Sequence, residues 1–278
     1  MSFKDLLVVV DDSSNAGERI DVAARLATAF GAHLTGLYVN DSAAVRPSVL
    51  AQFPAEVLDM LQSLGRDEAV KAQALFDARV RTAGDGVVTE WRAVEGEAGE
   101  MASLHARYAD LAVLGQADPD DIGVDSSVPE RVIMGAGRPV LVVPYAGTFK
   151  TLGQRVIVAW NASREATRAV NDALPILERA ASVRVLSINP HGGRAGHGPI
   201  AGADISLHLA RHGVRVEAST VNADDVRVDD MLLSQAADAG ADLIVMGGYG
   251  HSRLGEFVLG GATRHLLRQI TMPVFMSH

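Results

Sequence analysis

The chain has 278 residues, enough for two domains of roughly 140 residues each. Its 48 % hydrophobic and 21 % charged composition is that of a globular protein and excludes global disorder, while a net charge of −9 disfavours DNA or another polyanion as a partner. No cysteine is present, so disulfides, thiolate chemistry and Cys-based zinc sites are excluded; no run has the length of a membrane span, no signal-like segment precedes the first apolar strand, and a cytoplasmic location is expected.

In chain order, short continuous apolar runs predict strands at 6–10, 33–39, 87–93, 110–114 and 139–143, then at 156–159, 182–188, 214–220, 243–246 and 273–276. Such runs are the signature of strands buried on both faces of a parallel sheet. Helices are expected between them, at 15–30, 164–180, 205–212 and 229–239, with an alanine-rich helical excursion around 55–80. Gly147, Thr148, Lys150 and Gly153 interrupt the apolar pattern and mark a boundary, giving domains at 1–147 and 154–278.

The two halves repeat one plan. The segment from Leu6 to Ser13 reads like that from Val156 to Ser163, a buried strand followed by a polar turn that opens a helix. Ala109–Gly115 reads like Ala241–Gly247, and Arg138–Pro144 like Met272–Ser277, a strand entered through proline. The offsets are 150, 132 and 134 residues, so the first copy carries about 18 extra residues, assigned to the helical excursion. The expected fold is α/β: two tandem doubly wound domains, each a five-stranded parallel sheet with helices on both faces and a ligand crevice at the carboxyl ends of the strands.

Chemistry concentrates after the strand at 243–246. Gly247 and Gly250 allow a tight turn and close approach of main chain to a ligand, and Gly260 and Gly261 place bare N–H groups at a helix start, where an anion is favoured. Thr263 adds a hydroxyl on the same turn, and Arg253 or Arg264 could add positive charge. Taken alone, such a pattern is more often a glycine-rich turn before a capped helix than a ligand site.

The spacing Gly247, two residues, Gly250, nine residues, Gly260 resembles the phosphate motif of the universal stress protein family, Gly-x2-Gly-x9-Gly-Ser/Thr. The strand opened by Met272-Pro273, the run from Val10 to Ser13 and its counterpart from Trp160 to Ser163 resemble that family too. The resemblance spans nearly the whole chain as two tandem copies. It implies a five-stranded sheet, ATP or a related adenine nucleotide as ligand, with Mg2+ left open as its companion, and a sensor or regulator role in stress response.

Carried over residue by residue, the resemblance makes Ala159, Asn161, Ile188, Gly247, Gly250, Gly260, Gly261 and Thr263 the nucleotide-binding set. Two members depart from the family pattern: Asn161 replaces an acid, and Gly261 stands where Ser or Thr is usual. In the first copy Asp11 and Val39 are kept, but Asp118 replaces the second glycine, and Asp120, Asp121 and Asp125 follow it. Phosphate is therefore expected to be repelled there. Ser127 and Glu130 look like remnants of the motif.

No catalytic residue and no metal ligand is assigned; enzymatic activity stays open, at most weak ATP hydrolysis. His208 and His212, with His191 and His197 before them, could be drawn as a metal site, but Arg211-His212-Gly213 reads better as a helix C-terminus. His251-Ser252 lacks the elbow a hydrolase needs. The partners expected are a small-molecule nucleotide and an unidentified protein, with no nucleic acid and no membrane. The two copies should form an intrachain pseudo-dimer through their last strands, a further homodimer being left open. The alternative function is a stress-related interaction protein that keeps the fold and pocket but no longer binds nucleotide.

Overall fold

The computed structural model describes residues 2–41, 53–83, 86–120, 126–190, 200–223, 225–249 and 261–278. Ten strands alternate with eight helices among them. The first half contains β1 (Asp5–Val9), α1 (Ala16–Phe30), β2 (His33–Asn40), α2 (Ala55–Ala83), β3 (Thr89–Glu95), α3 (Ala98–Ala106), β4 (Leu111–Gly115), α4 (Val128–Gly135) and β5 (Val140–Val143). The second contains β6 (Arg155–Ala159), α5 (Arg164–Leu177), β7 (Ser182–Ile188), α6 (Ala203–Arg211), β8 (Val216–Val221), α7 (Val228–Asp238), β9 (Leu243–Gly247), α8 (Gly261–Gln269) and β10 (Val274–Ser277).

Contacts divide the chain into two units, Ser2–Arg138 and Pro139–His278. In the first unit the order is β3-β2-β1-β4, all parallel, with Val8 opposite Gly36 on one side and Val113 on the other. In the second, β10-β9-β6-β7-β8 are parallel, and β5 joins the edge of β10 antiparallel, with Leu141 opposite Phe275. Successive strand residues point to opposite faces, and Leu6, Leu7, Val8 and Val9 are all buried. Both faces of that strand are therefore covered by helices. In the first unit α1 packs with α2 and against β1, while α3 packs with α4 and against β2.

β3 and β8 depart from the expectation of strands buried on both faces, because half or more of their residues are exposed or half-exposed. Each is the outermost strand of its unit, with one neighbour, so packing does not demand an apolar residue at every position. The helical excursion is α2, 29 residues long, against nine in α6. Helix ends follow local chemistry. Ser163 Oγ accepts from the Ala166 amide at 3.1 Å to cap α5, and Gly31, at φ 60°, closes α1 in the left-handed conformation. The His212-Gly213 ending of α6 is a helix terminus as read, with Gly213 at φ 81° and Val214 donating to the Leu209 carbonyl.

Candidate functional site

In the second unit β6 is flanked by β7 on one side and β9 on the other, so the topological switch point of the sheet, the place where doubly wound domains bind ligands, lies at the carboxyl ends of β6 and β9. Ala159, Ile188 and Gly247 terminate these three adjacent strands. Beyond Ala159, Asn161 Oδ1 accepts the Ser163 amide at 3.1 Å across Ala162, which sits at φ 57°, and so shapes the turn into α5. Beyond Ile188, the Asn189 amide is locked onto Ala223, donating to its carbonyl at 3.0 Å and accepting from its N–H at 2.6 Å.

Gly247 is required by close approach. A Cβ there would stand 2.5 Å from the Ala166 nitrogen and 2.6 Å from the Glu165 carbonyl carbon, backbone atoms that cannot swing aside. The start of α5 thus lies directly against the end of β9. Gly248 continues the ladder by donating to Ser277 at 2.9 Å, and Tyr249 follows at φ 54°. Thr263 is buried, and its Oγ accepts the Tyr249 amide at 3.2 Å. The residue expected to meet phosphate therefore also ties the loop to α8, through a bond that does not use its hydroxyl proton. Gly261 is the first residue of α8; Gly250 and Gly260 lie outside the described residues. Glu165 is buried at the first turn of α5. Burial pushes its carboxyl up, but its own backbone N–H, Arg164 and Ser163 outweigh that and hold it below the usual value.

The corresponding crevice of the first unit, between β1 and β4, is filled differently. Asp11 repeats the Asx turn of Asn161, accepting from the Ser13 amide at 3.1 Å. Its carboxylate is also gripped by Arg19, a buried residue of α1, at 2.9 Å and 2.5 Å. Burial raises the Asp11 pKa, but the Arg19 charge and the hydrogen bonds from Arg19 and Ser13 bring it net below the ordinary value. Arg19 also lies under Gly115, where a Cβ would collide with its guanidinium. Around this pair is a cavity of ≈ 140 Å³ whose walls include Asp12, Tyr38, Asp41 and Glu68. Burial and Glu68 push the Tyr38 phenol up to about 12, so it stays neutral. Arg19 is absent from the set read from sequence; its signal was a cation on the face of α1 otherwise formed by Ala16, Ile20, Ala23 and Ala27.

Two other constellations bring together side chains capable of chemistry. His208 and His212 stack edge to face at 4.7 Å, while His191, His197, Asp121, Asp125, His251, Ser252 and Arg253 lie outside the described residues. Asp229, Asp230 and His265 approach one another between α7 and α8, with His265 Nε2 at 3.8 and 3.6 Å from the two carboxylates, but both oxygens of Asp229 are already held by Arg227 at 2.9 and 3.1 Å. In the first unit, the matching position holds an Arg131–Glu97 pair at 2.5 Å, so the plain role of both clusters is to clamp neighbouring helices. A cavity of ≈ 310 Å³ lies at the opposite, amino-terminal ends of β1 and β2, where Arg92 is engaged by Glu90 at 2.7 and 3.1 Å. No helix among the described residues is long and apolar enough to cross a membrane.

The family model of the universal stress protein family matches residues 2–144 and again 153–278. Universal stress protein Slr1230 of Synechocystis is 23 % identical over 295 residues, covering 98 % of both chains. Among solved structures, a universal stress protein from Archaeoglobus fulgidus superposes with a TM-score of 0.74 at 16 % identity, over 98 % of this chain and 95 % of that one. A functionally unknown protein from Pseudomonas aeruginosa PAO1 does so at 0.59 and 15 %, over 99 % and 92 %. With two matches that together span nearly all of it, the chain belongs to the universal stress protein family as a tandem of two copies.

Proposed function

We propose that this protein binds one adenine nucleotide, ATP or a close relative, in the crevice of its second half, and that the bound nucleotide acts as a regulatory ligand in stress response rather than as a substrate. The observation that carries this reading is Gly247: the end of β9 is pressed so closely on the start of α5 that only glycine fits, at the strand end from which the chain goes on to the N-terminus of α8 at Gly261. Ala159 and Ile188 supply apolar walls for the base, Asn161 an amide beside the sugar, and Gly261 and Thr263 donors toward phosphate, with Gly250 and Gly260 completing the sequence motif. Mg2+ would accompany the phosphates.

The first half is proposed to be closed to nucleotide. Asp12, Asp41 and Glu68 line its crevice, and Arg19, the cation best placed to offset them, is engaged by Asp11. Expected stoichiometry is therefore one nucleotide per chain. Calorimetric titration of the intact protein with ATP should give one site, abolished by Gly250→Asp, which sets a carboxylate in the motif. Two equivalent sites, or normal binding by that variant, overturns the assignment. A second reading, an interaction protein that has lost its nucleotide, is favoured by Asn161 and Gly261, and predicts no ATP heat at all. In either reading the antiparallel β5–β10 ladder is proposed as the seam of an intrachain pseudo-dimer in the cytoplasm.

A further inference from the structure

We infer that α2 pairs with α2 of a second copy of this chain, the two helices running antiparallel. The helix has two apolar faces. One is buried: Gly65, Ala72, Phe76 and Val80 recur at helical spacing, and α2 packs on α1 and β2. The other face lies around the axis from it and is confined to the first three turns and the residue pair before them. Phe53, Val57, Met60, Leu61 and Leu64 are 45, 37, 64, 37 and 46 % exposed. At about 100° per residue the four within the helix, Val57, Met60, Leu61 and Leu64, fall in one stripe roughly 100° wide, and Phe53 stands two residues before its start. Phe53, Val57, Met60 and Leu64 are spaced four, three and four apart, the spacing by which one helix receives another.

This stripe is built on the length that the first sequence repeat has and the second lacks: α6, in the matching place, has nine residues against 29. The added turns contribute little to the core, yet with Phe53 just before them they carry five large exposed apolar side chains. Together these expose on the order of 400 Å² of apolar surface, at the level where a patch on a single chain marks an interaction site. A second copy offers an identical stripe, and burying both removes roughly 800 Å² of apolar surface, which with its polar rim reaches the lower end of specific interfaces. Charge sets the direction. In a parallel pair Asp67, one heptad after Met60, would face its own image; antiparallel pairing, with Phe53 opposite Leu64 and Val57 opposite Met60, separates the two copies of it and opposes the helix dipoles.

The chain has no cysteine, so introduced thiols report without background. Sedimentation equilibrium of the full-length protein should show a reversible monomer–dimer equilibrium, weakened at least tenfold by Met60→Glu, with circular dichroism confirming an unchanged fold. Leu64→Glu gives an independent second lesion. When Phe53→Cys and Leu64→Cys proteins are mixed and oxidised, the mixed 53–64 disulfide should dominate over either self-pair. Dimers indifferent to both glutamates, or dominant 53–53 and 64–64 links, overturn the proposal. So does a protein monomeric at several hundred micromolar. In that case slow peroxide oxidation of Met60 would show that the chain covers its own stripe, and fast oxidation that the stripe serves a different partner.

Discussion

Arg19 clasps the Asp11 carboxylate with both of its terminal nitrogens, whereas the positions that match them in the second copy hold Ala169, fully buried, and Asn161, exposed. The acid and its cation are present together in one half and absent together in the other. Arg19 is buried and Asp11 half-buried, so removing the acid strands a buried guanidinium, which costs up to about 3–5 kcal/mol, while removing both can be near neutral. Asp11→Asn should therefore destabilise the protein by about that amount in urea unfolding. Asp11→Asn combined with Arg19→Ala should recover most of the loss, limited by the volume the shortened side chain leaves behind. A double variant as unstable as the single one would show that the guanidinium matters for packing rather than charge.

The same pair sets a pH dependence. The Asp11 carboxyl is held below its ordinary value of 3.8 in the folded chain, so the unfolded chain binds the proton more tightly. Its contribution is fully present above 3.8 and is lost as pH falls through the lower folded value. Urea midpoints measured from pH 6 downward should fall more steeply for the wild type than for the Asp11→Asn, Arg19→Ala double variant. Parallel curves for the two would contradict the assignment.

Gly247→Ala would test the close approach of β9 to α5. With backbone atoms at 2.5 and 2.6 Å from the new methyl group, either the strand or the helix must move, at a cost of about 1–3 kcal/mol. The expected result is a lower unfolding midpoint and loss of ATP affinity together. Gly137→Ala, at a positive φ with open space around it, is the control: it strains only its own backbone and should leave affinity unchanged.

Gly261 stands where the family motif has a hydroxyl. A hydrogen bond to a charged phosphate oxygen contributes about 1.5–3 kcal/mol, and a weaker contact about 0.5. Gly261 is the first residue of α8, where helical backbone accepts a Cβ, so Gly261→Ser should tighten ATP binding by roughly 2- to 100-fold over that range. Titration with a fluorescent ATP analogue measures it. Absence of binding in both proteins would support the interaction-protein reading instead.

The strands were legible because they depend on local pattern: β7 runs from Ser182 to Ile188 as read, and the excess helix lies where the repeat offsets and its periodicity placed it. Less legible were features set by distant partners. The exposure of β3 follows from its having no second neighbour among the described strands, which nothing in Thr89–Glu95 announces. Nothing in the sequence pairs Arg19 with Asp11; only folding sets it beside that carboxylate. Thr263 was read as a phosphate contact, and its tie to the Tyr249 amide depends on a left-handed residue that sequence does not require to be glycine.

The ladder between Val140–Met276 and Val142–Val274 decides where this protein can be cut. By sequence β5 ends the first repeat, but it groups with the residues after it and pairs with the last strand of the second. A fragment beginning at residue 154 would leave one side of Val274, Phe275 and Met276 as a bare apolar edge, a template for strand-by-strand aggregation. A fragment beginning at Pro139 carries its own edge cover. Proteolysis in the glycine-bearing stretch between Tyr145 and Gln154 should accordingly nick the chain without releasing a separable second half, because β5, just before the nick, stays hydrogen-bonded to β10.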